Sequence, residues 1–279
     1  MSGVPSLALN TGHAIPQLGL GTYLVPADDT EALVSDALGI GYRHIDAAAA
    51  YGNEEGVGRA IARSGIPREE IFVTTKLWND RHLGDEPRRA FDESLSRLGL
   101  DYVDLYLIHW PVPAVGYVHA WHTMEGFVAE GRARSIGVSN FLVEHLDRLA
   151  AESDTVPAVD QIELHPAFQQ RDVVAAARAR GTAIEAWSPL GRGRYAVLEE
   201  APIVAAAAAH GKTPAQVALR WQIQVGNIVF PKTVSPARLR ENLDLFDFVL
   251  SPEEERAITD LERSGRVGRD PNEVGVSMR

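Results

Sequence analysis

In the stretch GYRHIDAAAAYGNEEGVG, residues 41–58, an aspartate and a tyrosine, Asp46 and Tyr51, follow an apolar, strand-like run. Lys76 ends a second such run, IFVTTK, and His109 a third, VDLYLIH. A free phenol, with a pKa of about 10, keeps its proton at neutral pH and is a weak acid. An adjacent ammonium stabilises the phenolate and lowers that value, and a carboxylate beside the ammonium keeps it charged and in place. A neutral imidazole orients a substrate carbonyl through a hydrogen bond. Together the four groups suit proton delivery to an oxygen that is gaining negative charge, as in reduction of a carbonyl by hydride. No side chain donates hydride, so this chemistry requires a nicotinamide or flavin cofactor. Taken singly, each residue has an ordinary reading: an aspartate after a strand commonly caps a helix, and a lysine there is commonly solvated. Recurrence on successive strands is what argues for a site.

Such residues meet only if the strand ends converge. Short β-branched and aliphatic runs give eight strand candidates: QLGLGT, YRHID, IFVTTK, VDLYLIH, SIGVSN, VDQIEL, AIEAWS and NIVFPK. Helix-period stretches separate them, among them 30–38, 54–64, 87–98, 118–130, 143–151 and 172–180, and the alanine-rich AAAAAHG reads as part of another helix. Ahead of them, SLALN, TGHA and IPQLGL suggest a hairpin. Strands alternating with helices imply parallel pairing with right-handed crossovers, and eight units in 279 residues suit a closed (β/α)8 TIM barrel in one domain, 1–279. Asp46, Lys76, His109, Asn140, Ser188 and Lys232 all fall at C-terminal strand ends, which in such a barrel form one mouth. The rival doubly wound sheet needs an early glycine-rich fingerprint. GRGRYA, 191–196, matches the pattern but lies late, and Pro202 soon follows where the helix should continue. GKT, 211–213, lacks the glycine of a phosphate-binding loop.

Composition removes other classes. A formal net charge of -11, with no long Lys/Arg block, lacks the footprint of a nucleic-acid binder. With no cysteine there are no disulfides, thiolate nucleophiles or Cys-containing zinc sites. Neither a long apolar run nor a basic-then-apolar leader occurs, so no membrane association is expected and the expected location is the cytoplasm.

GYRHIDAAAAYGNEEGVG, GRARSIGVSNF (131–141) and PKTVSPARLRENL (231–243) resemble, in order and spacing, the three signatures of the aldo-keto reductases, and TTKLWND and LIHWP resemble that family's lysine and histidine segments. TTKLWNDRH, QIELHPAFQQR, AAAAAHGKTPAQ and ENLDLFDF look closest to its bacterial 2,5-diketo-D-gluconic acid reductases. The resemblance implies Tyr51 as proton donor, Lys76 and Asp46 as its pKa-lowering pair and His109 as the carbonyl-orienting group. It implies Ser139, Asn140 and Gln161 on a nicotinamide carboxamide and Trp187 stacked under the ring. Gly21, Thr22, Ser188, Pro189, Leu190 and Gly191 complete the cofactor cleft, the last three at the pyrophosphate. Lys232, Thr233 and Arg238 face a 2'-phosphate, and Glu241 and Asn242 meet the adenine. The cofactor implied is NADPH, with NADH weaker. Tyr23, Trp78, His109, Trp110 and the segment GRVGRDPNEV are expected to line the mouth around a small-molecule carbonyl, 2,5-diketo-D-gluconate first and dicarbonyls such as methylglyoxal next, in a monomer.

The chain departs from the family pattern at Ala47, where relatives carry Thr or Ser, and at Phe230, where an aliphatic residue is usual. Ser235 stands where close relatives can carry a base, and Trp187 replaces a common tyrosine. Two other readings remain open: a cofactor-binding relative with little turnover, and a metal-dependent barrel hydrolase using Asp46, His109 and His165, for which no compact ligand motif exists.

Overall fold

The computed structural model describes residues 3–276. A hairpin, β1 (Ser6–Ala8) with β2 (Ala14–Pro16), precedes eight parallel strands: β3 (Leu20–Gly21), β4 (His44–Asp46), β5 (Phe72–Leu77), β6 (Val103–Ile108), β7 (Ala133–Ser139), β8 (Val159–Glu163), β9 (Ala183–Trp187) and β10 (Ile228–Val229). The strands lie side by side in chain order. Val229 closes the circle: its N–H donates to the Gln17 carbonyl at 2.9 Å and its carbonyl accepts from Gly19 N–H at 2.8 Å. The outcome is the expected closed (β/α)8 barrel. All eight strand candidates appear, and the hairpin forms with IPQLGL divided between β2 and β3.

Helices cover the outside: α1 (Ala27–Ile40), α2 (Glu54–Arg63), α3 (Glu86–Leu98), α4 (Val118–Ala129), α5 (Val143–Glu152), α6 (Arg171–Ala179), α7 (Ala201–His210), α8 (Pro214–Gln224), α9 (Pro236–Leu243) and α10 (Pro252–Thr259). GRGRYA forms a tight turn rather than the strand-to-helix loop of a dinucleotide fingerprint, and Pro202 sits in the first turn of α7, where a missing N–H costs nothing.

The period-two alternation of each strand decides what fills the barrel. Inward residues low in the barrel are apolar: Phe72, Leu105, Leu107, Val159 and Ile228 pack with Leu9 and Ile15 of the hairpin, which plugs this end. Nearer the C-terminal ends the same inward register carries Asp46, Lys76, Gln161 and Glu185. Outward residues meet the helices. Thr75 and Arg97 both donate to the buried carboxylate of Glu54, at 2.6 Å each, tying α2 and α3 to β5.

The α2–α3 contact is tight enough to demand glycine: a Cβ at Gly58 would lie 2.0 Å from the Leu98 carbonyl oxygen. Gly58→Ala is therefore expected to lower the unfolding free energy by at least about 1–3 kcal/mol, read as a lower urea midpoint with unchanged m-value.

Candidate active site

The 3-10 turn Ala49–Tyr51 follows β4 and folds Tyr51 back over the barrel mouth. Asn53 anchors this turn by donating to the carbonyls of Thr22 and Val25, at 2.9 and 3.1 Å. Thr22, expected in the cofactor cleft, gives its hydroxyl to the Asp46 carbonyl at 2.9 Å and is fully buried, so its side chain holds β3 to β4 instead.

Beneath Tyr51 lies a wholly buried ammonium. Lys76 Nζ donates to Asp46 Oδ1 and Oδ2 at 2.7 and 2.8 Å, to the Ala47 carbonyl at 2.9 Å, and to Tyr51 Oη at 3.3 Å. Burial disfavours its charge, but Asp46 and then Tyr51 outweigh that and raise its pKa above the usual lysine value. Tyr51 departs from expectation. Burial pushes the phenol up to about 12, with Lys76 pulling the other way without winning. The expected lowering is thus reversed in the free protein: the low dielectric penalises phenolate more than one already paired ammonium favours it. Tyr51 is a fully protonated phenol at neutral pH.

His109 stands beside it, ring centroids 5.7 Å apart, with Trp78 on its other side at 5.0 Å. Burial, and secondarily the Lys76 charge, hold its imidazole well below the usual histidine range, so it is neutral. Its Nδ1 has no hydrogen-bond partner among the described residues.

These groups open on a cavity of about 670 Å3. Gly21, Tyr23, Asp46, Tyr51, Trp78 and His109 line one part of it. Trp110, Ser139, Asn140, Gln161, Trp187 and Ser188 line another, with Lys232 at the edge. The backbone turns sharply after two strands, Asn140 and Ser188 both taking left-handed φ, 63° and 51°. Asn140 Nδ2 donates to the His109 carbonyl at 2.9 Å and to Ser139 Oγ at 3.0 Å, and its Oδ1 accepts from Trp187 Nε1 at 2.9 Å. Gln161 Nε2 donates to Asp46 Oδ1 and to Glu185 Oε2, both at 2.9 Å. With both amide protons directed inward, only Oε1 of Gln161 is left for a ligand.

The remaining expected cofactor residues, Lys232 at the edge apart, lie off this cavity. Pro189, Leu190 and Gly191 lead from Ser188 into a 3-10 turn, Gly191–Gly193. Lys232 and Arg238 are exposed and make no ion pair among the described residues, despite the net acidity of the chain. Thr233 Oγ1 accepts from Ser235 N–H at 3.1 Å. Ser235 caps α9, a role its hydroxyl fills and a basic side chain does not. Asn242 is buried, and Glu241 accepts from the Thr213 hydroxyl at 2.6 Å.

Some contributors escaped the sequence reading. Arg192 spans the mouth, its guanidinium 5.3 Å from the Tyr23 ring and 5.5 Å from the Trp187 ring, and its Nε donates to Ser188 Oγ at 2.8 Å. It lies in GRGRYA, weighed only as a dinucleotide fingerprint. Glu163 holds the C-terminal segment at the rim, accepting from Val267 and Gly268 N–H at 2.6 and 2.8 Å. Gly268 presses against Trp187, where a Cβ would lie 2.4 Å from the indole. As expected, GRVGRDPNEV reaches the mouth, through Val267, Gly268 and Arg269. The metal reading finds its groups engaged: Asp46 holds Lys76, and His165 is buried 3.2 Å from Glu163.

The parallel barrel thus carries at one rim a protonated phenol and a neutral imidazole over a charge-compensated lysine. Its relatives specify the class. A model of the aldo/keto reductase family matches residues 17–263. An aldo-keto reductase of Mycolicibacterium smegmatis is 53% identical over 268 residues, covering 96% of this chain and 97% of that one. Methylglyoxal reductase DkgA of Escherichia coli is 45% identical over 276 residues, covering 99% of this chain and all of that one. A mutant of Gox0644 solved in complex with NADPH superposes with a TM-score of 0.93 at 45% identity, with 98% and 99% of the two chains covered. The chain belongs to the aldo/keto reductase family, oxidoreductases acting on carbonyl groups.

Removing one partner of the buried pair tests its energetics. Lys76→Met leaves the Asp46 carboxylate with the Gln161 amide as its one remaining donor among the described residues and is expected to destabilise the fold by about 3–5 kcal/mol. The double variant Lys76→Met with Asp46→Asn is expected to recover most of that loss in urea denaturation at neutral pH.

Proposed function

We propose that this chain, acting as one domain, reduces aldehydes and ketones to alcohols with NADPH, Tyr51 giving its proton to the carbonyl oxygen. The observation that carries this reading is the contact of Lys76 with both Asp46 and the Tyr51 hydroxyl beside a neutral His109. His109, as a neutral donor, fixes the carbonyl oxygen near Tyr51 Oη. As the oxygen gains charge Tyr51 releases its proton, and the phenolate left behind faces the Lys76 ammonium at hydrogen-bond distance. Asp46 keeps Lys76 charged throughout the cycle. A bound nicotinamide supplies the hydride.

The residues present fit that cofactor. Gln161 offers an acceptor to a carboxamide N–H, with Ser139 and Asn140 adjacent, and Trp187 offers an indole face once Arg192 moves aside. Pro189, Leu190 and Gly191 suit the pyrophosphate; Lys232, Thr233 and Arg238 the 2'-phosphate; Glu241 and Asn242 the adenine. The unpaired Lys232 and Arg238 favour NADPH over NADH. Tyr23, Trp78 and Trp110 give an aromatic mouth suited to compact substrates, a 2,5-diketo-D-gluconate-type keto acid or a small dicarbonyl. The DkgA relative, named a methylglyoxal reductase, supports the latter. The reading includes a monomer working in the cytoplasm; no described helix is long and apolar enough to cross a membrane.

Steady-state NADPH oxidation over a carbonyl panel tests the reading. Tyr51→Phe is expected to lower kcat by about 10²–10⁴-fold with NADPH affinity retained; equal turnover by the variant overturns the assignment. Arg238→Ala is expected to raise the NADPH Kd about tenfold or more and to leave the NADH Kd nearly unchanged, measured by quenching of tryptophan fluorescence.

A further inference from the structure

Below Asp46 the barrel encloses a second carboxyl group that the reaction described above does not use. Glu185 on β9 is fully buried. Its Oε2 accepts from Gln161 Nε2 at 2.9 Å, the same nitrogen that donates to Asp46 Oδ1. Its Oε1 has no hydrogen-bond partner and lies 3.7 Å from His44 Nε2. On the far side of that ring, His44 Nδ1 is 3.2 Å from the Pro16 carbonyl oxygen. A carbonyl only accepts, so Nδ1 carries the hydrogen and a neutral ring turns the lone pair of Nε2 toward Glu185. Thr74 Oγ1 lies 3.4 Å from the same Nε2. The groups facing Glu185 are Asp46 and His44 from β4, Lys76 from β5 and Gln161 from β8; Ile228, its neighbour on β10, brings no charge.

An ionised Glu185 over a neutral His44 would set lone pair against lone pair in a dry interior and place two carboxylates on one amide opposite one ammonium. A single proton on the Glu185–His44 pair removes both conflicts. We propose that Glu185 is a positioning residue for the carbonyl-reducing site: a proton held on Glu185, on the side facing His44, leaves Asp46 the sole carboxylate facing Lys76 and pins the Gln161 amide, its N–H groups inward and its Oε1 toward the cofactor cavity. Burial, with the Asp46 charge adding to it, pushes the Glu185 carboxyl up to about 8, and burial brings His44 down to about 4, in agreement with a protonated Glu185 beside a neutral His44 at neutral pH.

Two consequences follow. Between the usual carboxyl range and about 8, the folded chain holds a proton at Glu185 that the unfolded chain has released, so wild-type stability falls as pH rises through that window. Above it, a second anion next to Asp46 raises the pKa of the Tyr51 phenol further, and Tyr51 gives up its proton less readily. The second consequence rests on Tyr51 as proton donor; the first does not.

The test is Glu185→Gln, which keeps an acceptor for Gln161 and a donor for His44 but cannot ionise. The melting temperature of the variant minus that of wild type is expected to widen from pH 5 to pH 8.5, and wild type is expected to show an alkaline decline of kcat near pH 8 that the variant lacks. Glu185→Ala, which leaves that Gln161 N–H without its acceptor, is expected to raise the NADPH Kd on the order of tenfold, with Glu185→Gln restoring it. A flat melting-temperature difference, a retained decline in kcat, or an NADPH Kd equal in Glu185→Ala and wild type each overturns the proposal. Should either variant fail to fold, infrared spectra of Asp160→Asn, which removes the other carboxyl raised by burial, decide: a protonated-carboxyl band present at pH 7 and absent at pH 10 supports the proposal, and its absence at pH 7 defeats it. The stability and infrared measurements need no turnover, so they separate failure of this proposal from failure of the carbonyl-reductase reading.

Discussion

Everything at the mouth of this barrel depends on one buried charge. Lys76 is entirely enclosed, and an ammonium there is tolerable only because Asp46 meets it with both carboxylate oxygens and the Ala47 carbonyl takes a further hydrogen bond. That requirement fixes the register of β4 against β5, since a slip of one residue would turn either side chain out among the helices. It also bears on Tyr51. The proton-donor role proposed for the phenol needs it within reach of Nζ, and the short turn after β4, pinned by Asn53, holds it there. The polar upper half of the barrel interior is thus the surroundings that keep one cation in place.

Charge is organised at three depths. Deepest lie two carboxyls sharing one amide. Above them the ammonium, phenol and imidazole meet in surroundings that keep the last two uncharged. At the rim exposed cations stand apart from the acidic remainder of the surface. Under the proposed function each layer answers to a different part of the chemistry: holding geometry, moving a proton, and attracting an anionic cofactor. Neutral acids and bases perform well in a dry site because no solvent has to be rearranged when they react.

The barrel and its mouth were legible because both rest on local pattern. Eight β-branched runs at regular intervals need parallel partners, and polar residues recurring where those runs end mark one face. What escaped depends on tertiary closure. Glu185 and Glu163 sit inside strands, where sequence shows only alternation; that they face the axis, and that one holds Gln161 while the other holds the C-terminal segment, appears once β8 and β9 are placed side by side. Arg192 belongs to a loop whose course no periodicity records. The direction of the Tyr51 shift was misread for a related reason: the ammonium was visible in sequence, and the depth of burial opposing it was not. Thr22 lay at the right position for a cofactor contact, and its hydroxyl turned out to be committed to the Asp46 carbonyl.

The seam that closes the barrel has a consequence for how the molecule comes into being. Gln17 meets the β10 region not only through Val229 but through a side-chain bond to the Asn227 carbonyl, across 210 residues of chain. Until β10 has been synthesised, β3 and the latest strand made are open edges, each a row of unpaired backbone groups able to recruit another chain. Joining them makes the backbone hydrogen bond of widest sequence separation among the described residues, and the loop entropy it must overcome is correspondingly large. The last strand, only two residues long, therefore decides when a growing, aggregation-exposed sheet becomes a barrel with no edges at all.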